Sequence, residues 1–381
     1  MSRRDNFLVA PMFVFFMSHG LLYYIFPEQH YTTGGGGWIS YIKYLCLLVA
    51  LPALLNGRFD RRNTIWMAIG MVVIIVPFYL QLYWINEGNL LLVQFQLACL
   101  GYFFGPYILR FFSKLHRRNF YLLAALIITY MATLGEIALG NVIGVYSISG
   151  FRSIGAFINP NNTGIVVAIL AVIYHQQCKR TWLNVVIALL SMVTLIITGS
   201  KTAIAIYAIG VIAILPLNWQ FFFLLAVPVG IIINIEKLRD MWLLLELREF
   251  SLESGEIRSV GVTNLLNTFS ERSLSDQFFG FTNQSLIDNA YLDIMAYGGG
   301  LLLGLFLTVQ FVAVAVCIRR RLWFLILLHG LFFLSMLSTN ILRLWPTGYM
   351  YWALIGISML KARWSAELFV TQSIYQGPKK V

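Results

Sequence analysis

Three cationic side chains in a largely apolar chain have the residue types that bind an anion. Arg152 lies in a glycine-rich segment, Lys201 in the turn Thr198–Thr202, and Arg258 in a polar stretch. Arginine and lysine form charge-assisted hydrogen bonds with phosphate groups. A charged side chain within apolar surroundings usually marks a ligand path. The three cations therefore predict an anionic ligand.

The segment that follows Arg152 has two interpretations. Asn159 is a good N-cap and Pro160 a good first helical residue, so Asn159 to Asn161 can simply begin a helix. The free N–H groups and the positive dipole end of that helix also favour an anion, and Arg152 would add to their effect. Both interpretations stay open at this point.

The other charged residues also have structural alternatives. Lys201 could extend to the lipid head groups. Arg258 could be a solvated charge or pair with a nearby glutamate, and Asp288 could be an N-cap. Asp293, about a turn further along, is costly in lipid unless it faces protein or water.

The composition identifies the elements that must position these residues. Hydrophobic residues make up 59% of the chain and charged residues 11%, whereas a soluble domain has roughly 45–50% and 25%. Apolar runs of roughly 18 or more residues recur, and a helix of that length crosses a ~30 Å hydrocarbon layer. Barrel strands are shorter and alternate. The sequence therefore predicts an all-α integral membrane protein.

The chain is predicted to form one polytopic membrane domain of about twelve transmembrane helices over residues 1–381. The predicted spans are 7–26, 38–56, 64–85, 89–112, 120–139, 161–177, 183–198, 202–215, 219–235, 290–317, 322–339 and 347–361. Basic residues concentrate in alternate loops, which predicts that both termini are cytoplasmic. The net charge of +11 then reflects topology and not nucleic-acid binding. The first run is interpreted as a retained span and not as a leader peptide.

Two segments interrupt the helical pattern on the predicted outer side. The first is a glycine-rich loop at residues 140–160, and the second is a long loop between spans 9 and 10, at residues 236–289. The long loop begins with an amphipathic pattern, which favours a helix on the membrane surface. The four cysteines fall within spans or at cytoplasmic ends, so we expect neither a disulfide nor a cysteine metal site.

The ordered set of motifs resembles the superfamily of O-antigen ligases and Wzy-type polysaccharide polymerases. The set lies at about residues 140–305. It consists of Arg152, Gly155-Ala-Phe-Ile-Asn159-Pro160-Asn161, Thr198-Gly199-Ser200-Lys201-Thr202, Arg258, Gly280, Asp288-Asn289-Ala-Tyr291-Leu292 and Gly298-Gly299-Gly300. The superfamily usually has an arginine where this chain has Lys201, and lysine lacks the two-pronged geometry of arginine.

The resemblance implies a GT-C-like membrane glycosyltransferase that is inverting, metal-independent and without a cofactor. Its substrate would be an undecaprenyl-diphosphate-linked oligosaccharide in the periplasmic leaflet of the bacterial inner membrane. Lys201, Arg258 and Arg152 would bind the departing diphosphate, and Asp288 would activate the acceptor hydroxyl. Asn159, Asn161, Asn289 and Tyr291 would support the site.

Ligases of the superfamily carry a histidine near the start of the span after the long loop, where this chain has Asp288-Asn289. That difference favours a polymerase of O-antigen, capsule or exopolysaccharide repeat units over a ligase that transfers glycan to lipid A-core. A membrane transporter of lipid-linked sugars is the alternative from another class, and the lack of a visible repeat weighs against it. The resemblance also implies a flippase and a chain-length regulator as partners.

Overall fold

The computed structural model describes residues 21–26, 65, 69, 72, 100–106, 118–139, 153, 155–157, 159–178, 180–216, 252–280, 289–344 and 346–359. Within these residues the chain is almost entirely helical and contains no strand. The α-helices of this part of the chain are α1 Leu22–Ile25, α2 Arg118–Leu139, α3 Pro160–Gln177, α4 Thr181–Thr198, α5 Lys201–Ile214, α6 Leu252–Glu271, α7 Leu274–Phe279, α8 Ala290–Arg319, α9 Trp323–Ser338 and α10 Thr347–Met359. A π-helix at Leu100–Phe104 and 3-10 turns at Gly155–Phe157 and Ile341–Arg343 complete the set.

The predicted spans that fall on described residues are helices. Helices α2 to α5 and α8 to α10 begin and end within one or two residues of the predicted bounds. The spans predicted at 7–26, 38–56, 64–85, 89–112 and 219–235 lie wholly or mostly outside the described residues.

Three of the described helices, α2, α4 and α8, are long and apolar enough to cross a membrane. Large apolar side chains on these helices remain exposed, among them Met131 at 64%, Trp182 at 64% and Phe311 at 69%. Exposed apolar side chains of this size are unfavourable in water and favourable in lipid. The arrangement is therefore consistent with a helical membrane protein.

Helix α3 is the centre of the described bundle. It packs against α2, α4 and α5 and also contacts α9 and α10. The residues from Ile165 to Ile169 along this helix have almost no exposed surface. Gly164 faces the Cβ atom of Ala203, and Gly210 on α5 faces Val172 on α3, so small residues let the two backbones approach closely.

The bundle has two chemically different ends. Helices α3, α5, α8 and α10 begin at one end, where α2, α4 and α9 finish, and we call this the cap end. Three of the four helices that begin there start with a polar N-cap side chain, namely Asn159, Ser200 and Asn289. The opposite end carries Arg180 and the run Arg319–Arg321, and we call it the basic end.

The long loop predicted at 236–289 contains two described helices, α6 and α7. Gly280 is the C-cap of α7 and has a φ of +92°, and Gly299 on α8 has a φ of +61°. A Cβ atom on Gly280 would lie 2.1 Å from the Tyr297 carbonyl oxygen, and one on Gly299 would lie 2.2 Å from the Phe278 carbonyl oxygen. The two glycines therefore allow α7 to lie directly against α8. The amphipathic helix predicted at the beginning of this loop lies outside the described residues.

Candidate anion-binding site

The first turn of α3 lies against the turn that joins α4 to α5. A Cβ atom on Gly164 would lie 2.8 Å from Ala203 Cβ and 3.1 Å from Thr198 Oγ1. The turn reverses direction at Gly199, whose φ of +60° is the left-handed conformation that glycine adopts without steric cost. Helix α3, which begins at Pro160, therefore lies at Gly164 against the turn and first residues of α5 that flank Lys201.

Asn159 has the structural role that its sequence position allows. Its backbone is extended, its Oδ1 atom accepts a hydrogen bond of 3.0 Å from the amide of Asn162, and Pro160 is the first helical residue. Asn161 is half-buried in the first turn of α3. The helix-start interpretation is thus correct for Asn159. The same turn still carries the positive dipole end that favours an anion.

Lys201 is the first residue of α5 and its side chain is exposed. A cation is normally favoured at the C-terminal end of a helix, because the partial charge at the N-terminal end is positive. Lys201 therefore adds a full positive charge to an already positive helix end. An anionic ligand at this position would stabilise both charges.

A buried carboxylate on α2, which the sequence analysis did not identify, fixes the glycine-rich segment. Glu136 is 2% exposed, and its Oε2 atom accepts hydrogen bonds from the Ser153 hydroxyl at 2.5 Å and from the Gly155 amide at 3.1 Å. Its Oε1 atom has no hydrogen-bond partner within the described residues. An acidic residue near the end of a strongly apolar span was the signal that could have identified it.

The glycine-rich segment also contacts three other parts of the structure. Tyr24 donates a hydrogen bond of 2.9 Å to the Gly155 carbonyl oxygen. Gly155 has a φ of +57°, and a Cβ atom there would lie 2.5 Å from Thr163 on α3. The backbone amide of Ser153 contacts the carbonyl oxygen of Ile197 at 3.4 Å, four residues before Lys201. The segment therefore joins α2, α3 and the end of α4.

Side-chain hydrogen bonds also connect the later helices at the cap end. Asn289 caps α8 by accepting from the amides of Tyr291 and Leu292, and its Nδ2 atom donates to the Leu337 carbonyl oxygen at 2.9 Å. Thr347 donates to Asn162 Oδ1 at 2.9 Å. The beginnings of α8 and α10 are thereby tied to the end of α9 and to α3.

Asp293 and Asn340 form a second buried polar pair there. Asp293 is 3% exposed and accepts a hydrogen bond from the Asn340 amide. The Oδ1 atom of Asn340 has no hydrogen-bond partner within the described part of the chain. Asp293 thus faces protein, which is the condition that its predicted position in an apolar span requires.

Of the remaining predicted site residues, the structure describes the side chain of Tyr291 but not those of Arg152, Arg258 and Asp288. Tyr291 donates its hydroxyl to Gln310 and packs against Phe306 and Phe333, so its hydroxyl is engaged within the bundle. Arg258 belongs to α6, but its side chain lies outside the described residues, as do Arg152 and Asp288. The N-cap of α8 is Asn289, so Asp288 is not that cap.

The two described histidines are engaged away from the cap end. His175, in the last turn of α3, contacts Asn184 and Tyr207, and His329 contacts Ser358. Within the described residues there is no group of three His, Cys, Asp or Glu side chains that could hold a metal ion.

Comparison of the chain with models of known protein families found no match, and neither did comparison with curated proteins.

Proposed function

We propose that the chain is an inverting membrane glycosyltransferase that joins undecaprenyl-diphosphate-linked oligosaccharide repeat units into a polysaccharide. The observation that carries this proposal is the close packing of Gly164, in the helix that Asn159 caps, against Ser200 and Ala203, which flank Lys201, at an end of the bundle where four helices begin. Helix beginnings and a lysine together form a positive surface suited to a diphosphate. The order of the motifs along the chain, and its resemblance to polysaccharide polymerases, supports the same activity.

The proposed orientation follows from charge. Arg180 and Arg319–Arg321 place a cluster of cations at the basic end, and positively charged loops remain in the cytoplasm. The cap end then faces the periplasm, where the lipid-linked repeat units are joined. In this arrangement the chain spans the inner membrane about twelve times, with both termini cytoplasmic.

The reaction is a displacement at the donor sugar. The acceptor hydroxyl oxygen forms a bond to the anomeric carbon, and the bond between that carbon and the phosphate oxygen breaks. The lipid diphosphate leaves with the electron pair, and Lys201 stabilises the charge that develops on it, together with Arg258 and Arg152. Asp288 takes the proton of the acceptor hydroxyl.

The Lys201→Ala substitution tests the diphosphate role. We expect the substitution to shorten the polysaccharide and to lower polymerisation at least about tenfold, because a hydrogen bond to a charged group is worth ~1.5–3 kcal/mol. Lys201→Arg should keep activity, since it keeps the charge. The measurement is the length distribution of surface glycans on a gel, in a deletion strain that expresses each variant at equal abundance.

Arg180→Ala is the matched control, because Arg180 is also an exposed cation beside a helix but lies at the basic end. It should leave chain length unchanged. Long polysaccharide in both Lys201→Ala and Arg258→Ala would contradict the diphosphate role. In a strain that makes O-antigen, deletion of a polymerase leaves single repeat units on lipid A-core, whereas deletion of a ligase leaves none attached.

A further inference from the structure

A chain of contacts leads from the buried carboxylate of Glu136 to the turn that carries Lys201. Glu136 Oε2 accepts from the Ser153 hydroxyl, and the amide of the same serine contacts the carbonyl oxygen of Ile197. Ser153 is fully buried, so water does not compete for these groups. All the residues that make these contacts are described by the structure.

The contact at Ile197 has a specific structural effect. The last four carbonyl groups of a helix have no partner within the helix, and Ile197 is the second-last residue of α4. Ser153 supplies a donor for one of these carbonyl oxygens immediately before Thr198-Gly199-Ser200-Lys201. The position of Ser153 therefore helps to define where α4 ends and where α5, with Lys201, begins.

Ser153 itself belongs to no helix in the described part of the glycine-rich segment, where the first regular element is the 3-10 turn at Gly155–Phe157. Instead, the double acceptor Glu136 Oε2 fixes Ser153 and Gly155, and Thr163 on α3 leaves no space for a side chain at Gly155. Substitution of Glu136 by alanine would remove the acceptor of the buried Gly155 amide and leave the Ser153 hydroxyl with only its longer contact, 3.3 Å, to the Thr133 carbonyl oxygen, a costly change. Glutamine would still supply one carbonyl oxygen to both donors.

We propose that Glu136 is a positioning residue, which acts through Ser153 to set the turn that presents Lys201 to an anionic lipid diphosphate. This inference rests on the proposed function for the nature of the ligand. The inference adds Glu136, a buried residue, to the residues on which the affinity for the diphosphate depends.

The test measures the affinity of the purified full-length protein in detergent for a polyprenyl diphosphate. We expect Glu136→Ala to weaken binding about tenfold, and Glu136→Gln to stay within about threefold of the wild type. Thr129→Ala is the matched control. Thr129 is equally buried on α2, but within the described residues its hydroxyl bonds only to the Ala125 carbonyl oxygen of its own helix. It should bind as the wild type does.

A double-mutant cycle separates positioning from general destabilisation. If Glu136 acts through Lys201, then Glu136→Ala should cause no further loss of affinity in the Lys201→Ala background. Additive losses, or wild-type affinity in Glu136→Ala, would overturn the proposal. A loss in Glu136→Gln as large as in Glu136→Ala would overturn it too, because the acceptor would then not be the relevant property.

The positioning role and the polymerase activity can fail separately. If the protein binds polyprenyl diphosphate with the expected dependence on Glu136 but its deletion leaves polysaccharide length unchanged, the polymerase proposal fails and the positioning role stands. If deletion abolishes polymerisation but Glu136→Ala binds like the wild type, the positioning role fails alone. Absence of binding by the wild type contradicts both.

Discussion

Buried carboxylates at the cap end each hold a neighbouring segment in place. Glu136 binds the segment at Ser153 and Gly155, and Asp293 binds Asn340 in the connection between α9 and α10. An acid in an apolar bundle costs free energy unless polar groups surround it. The hydrogen bonds that these two carboxylates accept offset part of that cost.

Glycines at the contact between α7 and α8 lead to a prediction about stability. Alanine at Gly299 would combine a φ of +61° with a Cβ atom 2.2 Å from the Phe278 carbonyl oxygen. We expect Gly299→Ala to destabilise the protein by about 2 kcal/mol or more, because both the backbone and the contact must shift. Gly300→Ala is the control, since the nearest atom to its Cβ would be at 3.6 Å. The measurement is the midpoint of thermal unfolding in detergent, and equal midpoints for both variants would contradict the prediction.

At the scale of the elements, helix caps determine where α3, α5 and α8 begin. The cap of α3 combines an asparagine and a proline, so the sequence alone predicted its first residue within one position. Asn159 also belongs to the proposed anion site. Its substitutions can therefore affect helix capping and ligand binding separately.

Substitutions at Asn159 should distinguish capping from ligand binding. Asn159→Ala should destabilise the protein by about 1 kcal/mol, because the Asn162 amide loses its acceptor, whereas serine and aspartate keep the cap. Asn159→Asp should keep thermal stability but weaken polyprenyl diphosphate binding, because its carboxylate repels an anion. Asn159→Ser should keep both. Equal diphosphate affinity for the serine and aspartate variants would show that the ligand does not approach this cap.

Much of the helical architecture followed from the sequence because apolar runs and caps are local signals. The runs from 118 to 214 and from 290 to 359 gave helices whose ends differ from prediction by one or two residues. The contacts between elements could not be predicted from the sequence, because they join residues that are far apart in the sequence. The Thr347 contact with Asn162 and the Glu136 contact with Ser153 depend on which helices become neighbours. For the proposed site, Lys201 and Asn159–Asn161 are predictions from residue type and order, whereas Glu136 was not predicted because its contact with Ser153 is set by tertiary structure.

At the scale of the whole molecule, the two ends of the bundle differ in charge and in chemistry. Polar caps, Lys201 and buried carboxylates lie at the cap end, and exposed Arg180 and Arg319 lie at the basic end. Because cations are retained on the cytoplasmic side, this difference predicts the sidedness of the protein.

Cysteine labelling tests the sidedness directly. In a background without Cys46, Cys99, Cys178 and Cys317, a membrane-impermeant maleimide applied to intact cells should label Lys201→Cys and leave Arg319→Cys unlabelled. Permeabilisation should expose Arg319→Cys. The reverse pattern would place the cap end in the cytoplasm and would contradict the periplasmic reaction.

The hydrogen bonds that join the cap end also bear on how the protein is made. Thr347 and Asn162 are 185 positions apart, and Tyr24 and Gly155 are 131 positions apart. Synthesis proceeds from the N-terminus, so Asn162 and Thr347 can form their hydrogen bond only after the 185 positions between them have been made. Contacts between such distant residues form slowly because a large loop must close first. Assembly of the cap end is therefore a late event of biogenesis, and a nascent chain truncated before Thr347 would insert its early helices without completing this end.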